Sequence, residues 1–371
     1  MSLRVYRQLS AVPESFQSLI DEDEGGHFLI SRSWYENFEE LGLYPGTAQL
    51  IYTVGEESDP LGLAVAIGMW IHLGFFNTKL VTFVHPDGVE FRARLRRGED
   101  SPDVVIDEIA AALGRGERSC DIAKLGPFER HDERLKMAQR SLRRHGFITQ
   151  TYRLETNCFE DFGRISADDY LAARPSKLRN TIRRRMKRLE QEANGQLQVI
   201  RGGEHLESGI ADYIRILVSS WQGRHPMSFE YLSALLNIAA SRDVLRLGIY
   251  YVDGRPAAGQ IWLVSSDTAM IYRLAYDQRF TRYSIGTLLT HEMFRHVITE
   301  DRVTKVDFGT GTEPFKQDWV GSSRELWGVS GYNRRSLAGL NAASMAFTKS
   351  ALKVVLRRMG FRTKQETSDP L

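Results

Sequence analysis

Between Ala269 and Trp319 the chain runs through a strand, a glycine-bearing loop, a helix, a second strand and a short polar signature, and this order limits its fold more than any other stretch. Ala269–Asp277 (AMIYRLAYD) is rich in aromatic and β-branched residues and ends at a charged loop, which predicts a strand. Ser284-Ile285-Gly286-Thr287 opens a predicted helix that runs to about Glu300, because Leu288, Leu289, Met293, Phe294 and Val297 recur at helical spacing. Ser284 fits an N-cap, and Gly286 lets a ligand come close to the backbone. A helix start behind such a loop offers unpaired N–H groups and a positive dipole end, which suit a pyrophosphate. Lys305–Gly309 then reads as a short strand that leads into Thr310-Gly311-Thr312-Glu313-Pro314-Phe315-Lys316-Gln317-Asp318-Trp319.

The rest of the chain alternates in the same way. Its first part predicts a helix at Leu29–Leu43, strands at Thr47–Val54 and Leu61–Trp70 around a turn at Glu56–Pro60, a helix at Asp103–Leu113, a strand at Asp121–Leu125, a helix at His131–His145 and a strand at Phe147–Leu154. The second part predicts a helix at Ser176–Ala193, a strand at Gln196–Ile200 and helices at Leu206–Trp221 and Ser228–Ala240. A hairpin, Val244–Val252 with Pro256–Val264, turns at Asp253-Gly254, a strong turn signal, and a last strand lies near Glu325–Tyr332. The fold class is therefore α+β, a mixed α/β chain. Glu155–Arg164 is polar with few periodic apolar residues and is expected to be the domain boundary. Ser336–Arg358 reads as a helix carrying Lys349, Lys353, Arg357 and Arg358, followed by a frayed tail.

A length of 371 residues with 42% hydrophobic content suffices for two domains with cores. The formal charge of +2 is a near cancellation of 49 basic and 47 acidic residues, so no global polycation argues for nucleic acid. Two cysteines, Cys120 and Cys158, point to a reducing compartment, with Cys120 as core filler. The N-terminus has no continuous apolar segment with a cleavage site, and Leu61–Phe76 is too short and too interrupted to span a bilayer. The expectation is a cytoplasmic protein without a transmembrane segment, with peripheral membrane contact left open.

The helix from Lys177 to Arg188 places Leu178, Ile182, Met186 and Leu189 on one face, while Arg179, Arg183 and Lys187 form a stripe at i, i+4 spacing. One side packs; the other faces water or an anion, for which guanidinium forks are well shaped. Three other patterns carry less. His291 and His296 are five residues apart where zinc ligation on a helix needs four. Arg92, Arg94, Arg96 and Arg97 lack interleaved aromatics for stacking. Trp221, Arg224 and His225 end a helix, where a tryptophan is more often packing.

At the residues quoted from the 269–319 stretch the chain resembles the CelD-like branch of the GNAT acyltransferases, relatives of the Fem-type (FemAB-like) peptidoglycan aminoacyltransferases. The carriers are the helix start Tyr283-Ser284-Ile285-Gly286-Thr287, the strand end Asp307-Phe308-Gly309 and Glu313-Pro314-Phe315-Lys316 with Trp319, and Ser176–Arg184 resembles the basic helix that opens that domain. The helix start keeps part of the GNAT phosphate-loop pattern. The resemblance implies two tandem GNAT-like domains, each a mixed central sheet flanked by helices. The expected division is 1–158, a degenerate N-terminal domain; 159–335, the acyltransferase domain; and 336–371, a basic helix and tail.

Roles follow as the resemblance implies them. Residues Tyr283, Ser284, Ile285, Gly286 and Thr287 would bind the donor, acetyl-CoA or another acyl-CoA used as co-substrate, with no tightly bound cofactor and no metal. Lys316 matches a lysine that helps acyl transfer in Fem-type enzymes, where an ammonium would stabilise the tetrahedral oxyanion. Glu313, Asp277 and Asp307 are candidate proton acceptors, Glu313 first because it flanks Lys316. Arg179, Arg183 and Trp319 would meet an anionic or sugar-linked acceptor. The expected function is an acyltransferase, acetyl-CoA-dependent in the first instance, acting on an amine or hydroxyl of a polysaccharide or cell-envelope precursor. The alternatives are an aminoacyltransferase using aminoacyl-tRNA and a non-catalytic scaffold in polysaccharide assembly.

Overall fold

The computed structural model describes residues 2–21, 28–83, 94–95, 102–220, 228–311 and 313–358. Arg92, Arg96, Arg97, Trp221, Arg224, His225 and Thr312 lie outside the described residues. The chain divides into two compact units, and each follows from the alternation of elements in the sequence.

The first unit comprises Met1–Asp23, Leu43–Thr156 and Arg324–Leu371. Its strands are β1 (Leu3–Tyr6), β2 (Thr47–Glu56), β3 (Asp59–Leu73), β4 (Phe76–Thr82), β5 (Arg94–Leu95), β6 (Ile122–Glu129) and the first part of β7 (Phe147–Asp161). They lie in the order β1-β2-β3-β4-β6, then the returning strand Ser322–Asn333, then β7, with β5 on β3. The pairs β1·β2, β2·β3, β3·β4, β3·β5 and β6 with the returning strand are antiparallel, and β4 with β6 is parallel. Helices Pro102–Gly114 and Glu133–Arg144 bury Val105, Ile106, Ile109, Leu135, Ala138 and Leu142 against Ala64, Ala66, Val81 and Val329. The helix Leu337–Arg358 lays Ala342 and Ala343 on Leu80, Ile122 and Tyr332.

The second unit comprises Glu24–Gly42 and Asn157–Ser323. From the end of β7 its sheet continues through β12 (Lys305–Thr310), β11 (Thr268–Tyr276), β10 (Arg255–Ser265), β9 (Leu245–Val252) and β8 (Gly195–Ile200); Ser322–Asn333 completes the set as β13. Strand alternation distributes the helices. Gln260 on β10 reaches Thr290 of the helix Ile285–Thr299, while its neighbour Gly259 faces Tyr213 of the helix Leu206–Ser219 across the sheet. A Cβ on Gly259 would meet the Tyr213 ring at 2.6 Å, so glycine there is a packing requirement. On the Ile285–Thr299 side, Phe294 stacks between Tyr170 (centroids 5.0 Å) and Trp319 (5.2 Å) and takes Trp262 edge-on at 5.2 Å. Such pairs contribute about 0.5–1.5 kcal/mol each beyond their buried area.

Three local expectations change. The helix expected over Leu29–Leu43 is three short turns, a 3-10 turn at Phe28–Ile30, an α-helix at Arg32–Asn37 capped by Ser31, and a wider π-type turn at Phe38–Gly42. Trp34 and Phe38 still stack at 5.5 Å, so apolar spacing found the buried face and not the helix type. Glu155–Arg164, a polar segment expected to hold the domain boundary, contains the second half of the fifteen-residue strand β7. Ladder hydrogen bonds order a strand whose outward side chains are polar, so low apolar content did not mean lack of structure. Ser284 stands at the helix N-cap position but makes no capping bond; its backbone is left-handed, φ 52°.

Candidate active site

β11 and β12 are the parallel pair of the second unit, and their ladder is short. Thr268, Ala269 and Met270 pair with Lys305, Val306 and Asp307; beyond that rung β11 runs on to Tyr276 on β10 and β12 to Thr310 on β7, no longer paired with each other. A bulge on β11 marks the parting: Ile261 pairs with Arg273 and Trp262 with Ile271, leaving Tyr272 as the extra residue. Two neighbouring strands thus diverge toward their carboxyl ends, and the segments that leave those ends border the same opening. In open α/β sheets this is where ligands enter.

From β12 the chain turns through Gly309 (φ 71°) and Gly311 (φ 123°) into the short helix Pro314–Trp319. The turn aims Lys316 back at the strand end. Lys316 is 7% exposed, donates to the Thr310 carbonyl and has its Nζ 3.3 Å from the Glu313 carboxylate. Asp307 accepts from Asn157 Nδ2 and from the Gly309 N–H, both at 2.7 Å, and so braces the turn. The Cys158 thiol donates to the Gly311 carbonyl at 3.6 Å, and burial pushes its pKa up, which keeps it a neutral thiol beside the lysine.

From β11 the chain passes through the 3-10 helix Gln278–Tyr283 into the helix Ile285–Thr299. Asp277 begins this path. Its carboxylate accepts from the Arg279 N–H at 2.9 Å and grips the Arg279 guanidinium at 2.6 Å, and these bonds hold its pKa below the ordinary value. Among the described residues the N–H groups of Ile285 and Gly286 have no hydrogen-bond partner, whereas those of Thr287 and Leu288 reach the Ser284 carbonyl. Gly286 leaves open space. A Cβ there would meet only the Tyr276 ring, at 3.5 Å. The Tyr283 ring is buried, so its side chain faces no opening.

Arg179 and Arg183 lie exposed on the helix Ser176–Glu192, their guanidinium groups bonded to the Arg174 carbonyl and the Asn180 side chain. The Trp319 indole is 2% exposed in the aromatic stack, and its carbonyl accepts from Tyr170 and Arg174. Tyr283, Ser284, Ile285, Gly286 and Thr287 on one side, and Asp307, Glu313 and Lys316 on the other, thus leave the ends of the two diverging strands; Trp319 sits in the core behind them. Sequence reasoning missed two groups. Arg185 and Arg188 on the helix Ser176–Glu192 donate to the Arg282 carbonyl, and Arg188 and Arg282 both lie over the Tyr283 ring, so three guanidinium groups gather at the turn before the helix Ile285–Thr299, with Arg188 also paired to Glu192 at 2.7 Å. Their i, i+3 spacing was visible, but not which loop it would meet. Gln260 is the other: it donates to Thr290 Oγ1 at 2.7 Å and accepts from Trp262 Nε1 at 2.8 Å, tying the helix start to β10. An isolated glutamine in an apolar strand gives no periodic signal.

Residues 176–317 match the family described as acetyltransferase (GNAT) domain, and the match falls wholly within the second unit. No curated protein matches the sequence. Among solved structures the fold is similar to FemX (TM-score 0.57, 12% identity, 89% of this chain and 97% of that one). It is also similar to a tandem GNAT protein from the clavulanic acid biosynthesis pathway (0.51, 11%, 89% and 98%) and to L-PGS from Bacillus licheniformis (0.51, 14%, 89% and 95%).

Proposed function

On the premise that residues 176–317 are a GNAT acyltransferase domain, within a chain of tandem GNAT-like fold, we propose that this protein transfers an acyl group from acyl-CoA, acetyl-CoA first, to an amine or hydroxyl of an anionic or sugar-linked acceptor such as a polysaccharide or cell-envelope precursor. The observation that carries the reading is the parting of β11 and β12 between a helix start with two unpartnered N–H groups and a buried lysine. The N–H groups of Ile285 and Gly286, with Arg185, Arg188 and Arg282 behind them, suit the pyrophosphate of the donor. The thioester then lies toward the strand opening. The acceptor's lone pair attacks the thioester carbon, the carbonyl oxygen takes the charge, and collapse breaks the C–S bond. The acceptor's proton goes to a base and the departing thiolate takes up a proton.

Lys316 offers the ammonium that stabilises the oxyanion. Glu313 is the favoured proton acceptor, because Asp277 is committed to Arg279 and Asp307 to Asn157 and Gly309. Cys158, held as a neutral thiol, fits direct attack without a covalent enzyme intermediate. The two free, buried cysteines fit a reducing, cytoplasmic setting, and no helix among the described residues is long and apolar enough to cross a membrane.

A second reading, aminoacyl transfer from aminoacyl-tRNA, draws on the exposed Arg179, Arg183, Arg184 and Lys187. Thermal unfolding with a panel of acyl-CoAs separates the two. A donor at about a hundred times its Kd stabilises by about 2.7 kcal/mol. A response to acyl-CoA supports the first reading; a response only to aminoacyl-tRNA, lost steeply with salt, supports the second. Indifference to every donor leaves a scaffold role.

A further inference from the structure

The first unit carries a surface that acyl transfer does not use. The hairpin of β3 and β4 ends at Leu73-Gly74-Phe75, with Phe75 fully exposed and Trp70 61% exposed, opposite Lys79 in the ladder. The start of the helix Leu337–Arg358 is bonded to this tip through Asn341 Nδ2, which donates to the Leu73 carbonyl, and it presents Leu337 (73% exposed) and Leu340 (42%). Four large apolar side chains in water at one end of a unit mark an interaction site.

Beside them a cleft of about 490 Å³ is lined by Trp70, Lys79, Arg115 and Arg335, together with Glu117 and Asp121. Its lining leans positive, with Lys79, Arg115 and Arg335 against Glu117 and Asp121. The Asp121 carboxylate is taken by the Lys79 N–H and the Ser336 hydroxyl. Lys79, Arg115 and Arg334 have no carboxylate partner among the described residues, and the Arg335 guanidinium donates to the His145 carbonyl while its backbone N–H goes to Asn333 Oδ1. Burial, with repulsion from Arg115 and Arg334, holds the Arg335 guanidinium below its ordinary pKa. Arg115 and Arg334 act on Arg335, and Lys79 lines the same cleft as Arg115 and Arg335; next to an exposed tryptophan and a bare phenylalanine, these cations complement a surface that is anionic outside and apolar beneath.

We propose that this end of the first unit docks on an anionic lipid bilayer: Trp70, Phe75, Leu337 and Leu340 enter the interface while Lys79, Arg115, Arg334 and Arg335 meet lipid phosphates. Aromatic rings settle at the headgroup level, and each cation near the surface adds to the attraction. A second copy of the chain would bring the same four cations against themselves, which argues against self-association through this face.

Co-sedimentation of the full chain tests this, with vesicles of phosphatidylcholine alone and of phosphatidylcholine containing phosphatidylglycerol. Binding is expected only to the anionic vesicles and is expected to weaken as salt rises. Arg115→Gln with Arg334→Gln should lower the partition about fivefold per charge, and Phe75→Ser about tenfold. Both variants change exposed side chains and should keep the wild-type Tm. Absence of binding, equal binding to neutral vesicles, or unchanged binding by the variants would overturn the proposal. So would a dimer that Phe75→Ser dissolves, or stabilisation by inorganic phosphate without vesicle binding.

Discussion

Lys316 and Glu313 face each other at 3.3 Å over Gly311, whose φ of 123° favours glycine; a Cβ there would push the Glu313 carboxylate aside and stand 2.9 Å from Lys316 Nζ. Ammonium, carboxylate and a bare backbone position are thereby packed at one strand end. A charge that acts only on the developing oxyanion changes turnover more than substrate affinity. Lys316→Met, which keeps the buried stem, should lower kcat roughly a hundredfold or more with near-normal KM for both substrates. Full turnover by the variant in a steady-state assay would leave the lysine a structural partner of Thr310 and Glu313.

Gly286 has room for a side chain within the fold but not with a pyrophosphate over the helix start. Gly286→Val should therefore weaken CoA by about tenfold or more, the scale of losing charge-assisted hydrogen bonds. Its unfolding transition should stay close to wild type. Calorimetric titration and thermal melts read the two separately, and unchanged CoA affinity in a folded variant removes this site.

Among the described residues Arg179 and Arg183 make no ion pair, and the packing face of their helix is supplied by Leu178, Ile182 and Leu189. Double replacement by Gln should raise the acceptor KM about tenfold, as expected for lost charged hydrogen bonds, without moving the Tm. A shift in Tm alone would make the stripe structural.

Burial, and then the charge of Arg295, hold the His291 imidazole down to about pKa 4. The unfolded chain takes up this proton near pH 6.5, so it binds more protons than the folded chain between pH 6.5 and 4. The stabilisation from keeping His291 neutral is complete above pH 6.5 and is lost as pH falls through that window. Urea unfolding should show wild-type stability dropping there more steeply than that of His291→Phe; parallel curves would contradict the assignment.

Local structure in the second unit was largely legible. The strand at Ala269–Asp277, the helix after Ser284, the strand at Lys305–Gly309 and the Asp253-Gly254 hairpin emerge within a few residues of their expected bounds, because propensity and periodicity are properties of neighbouring residues. The parting of β11 from β12 was not legible, since it depends on partners some 37 residues apart, as Thr268 is from Lys305. The burial of Trp319 was hidden for the same reason: an indole in a polar signature looks exposed until Phe294 is known to cover it. Lys316 and Glu313 were found together by adjacency, whereas Arg185 and Arg188 needed the fold to show that they lean on Arg282.

The bond between Gln260 and Thr290 bears on how finely the helix Ile285–Thr299 is placed. An apolar helix can slide along a sheet and exchange one greasy contact for another at little cost. Here a slip of one residue would break the bond from the Gln260 amide to Thr290 and strand that N–H in a dry interior, at about 1–3 kcal/mol, while Trp262 keeps its bond to Gln260 within β10 and Thr290 its bond to the Gly286 carbonyl. The helix start thus has an address written in discrete steps, and thermal motion blurs it only within the tolerance of a single hydrogen bond.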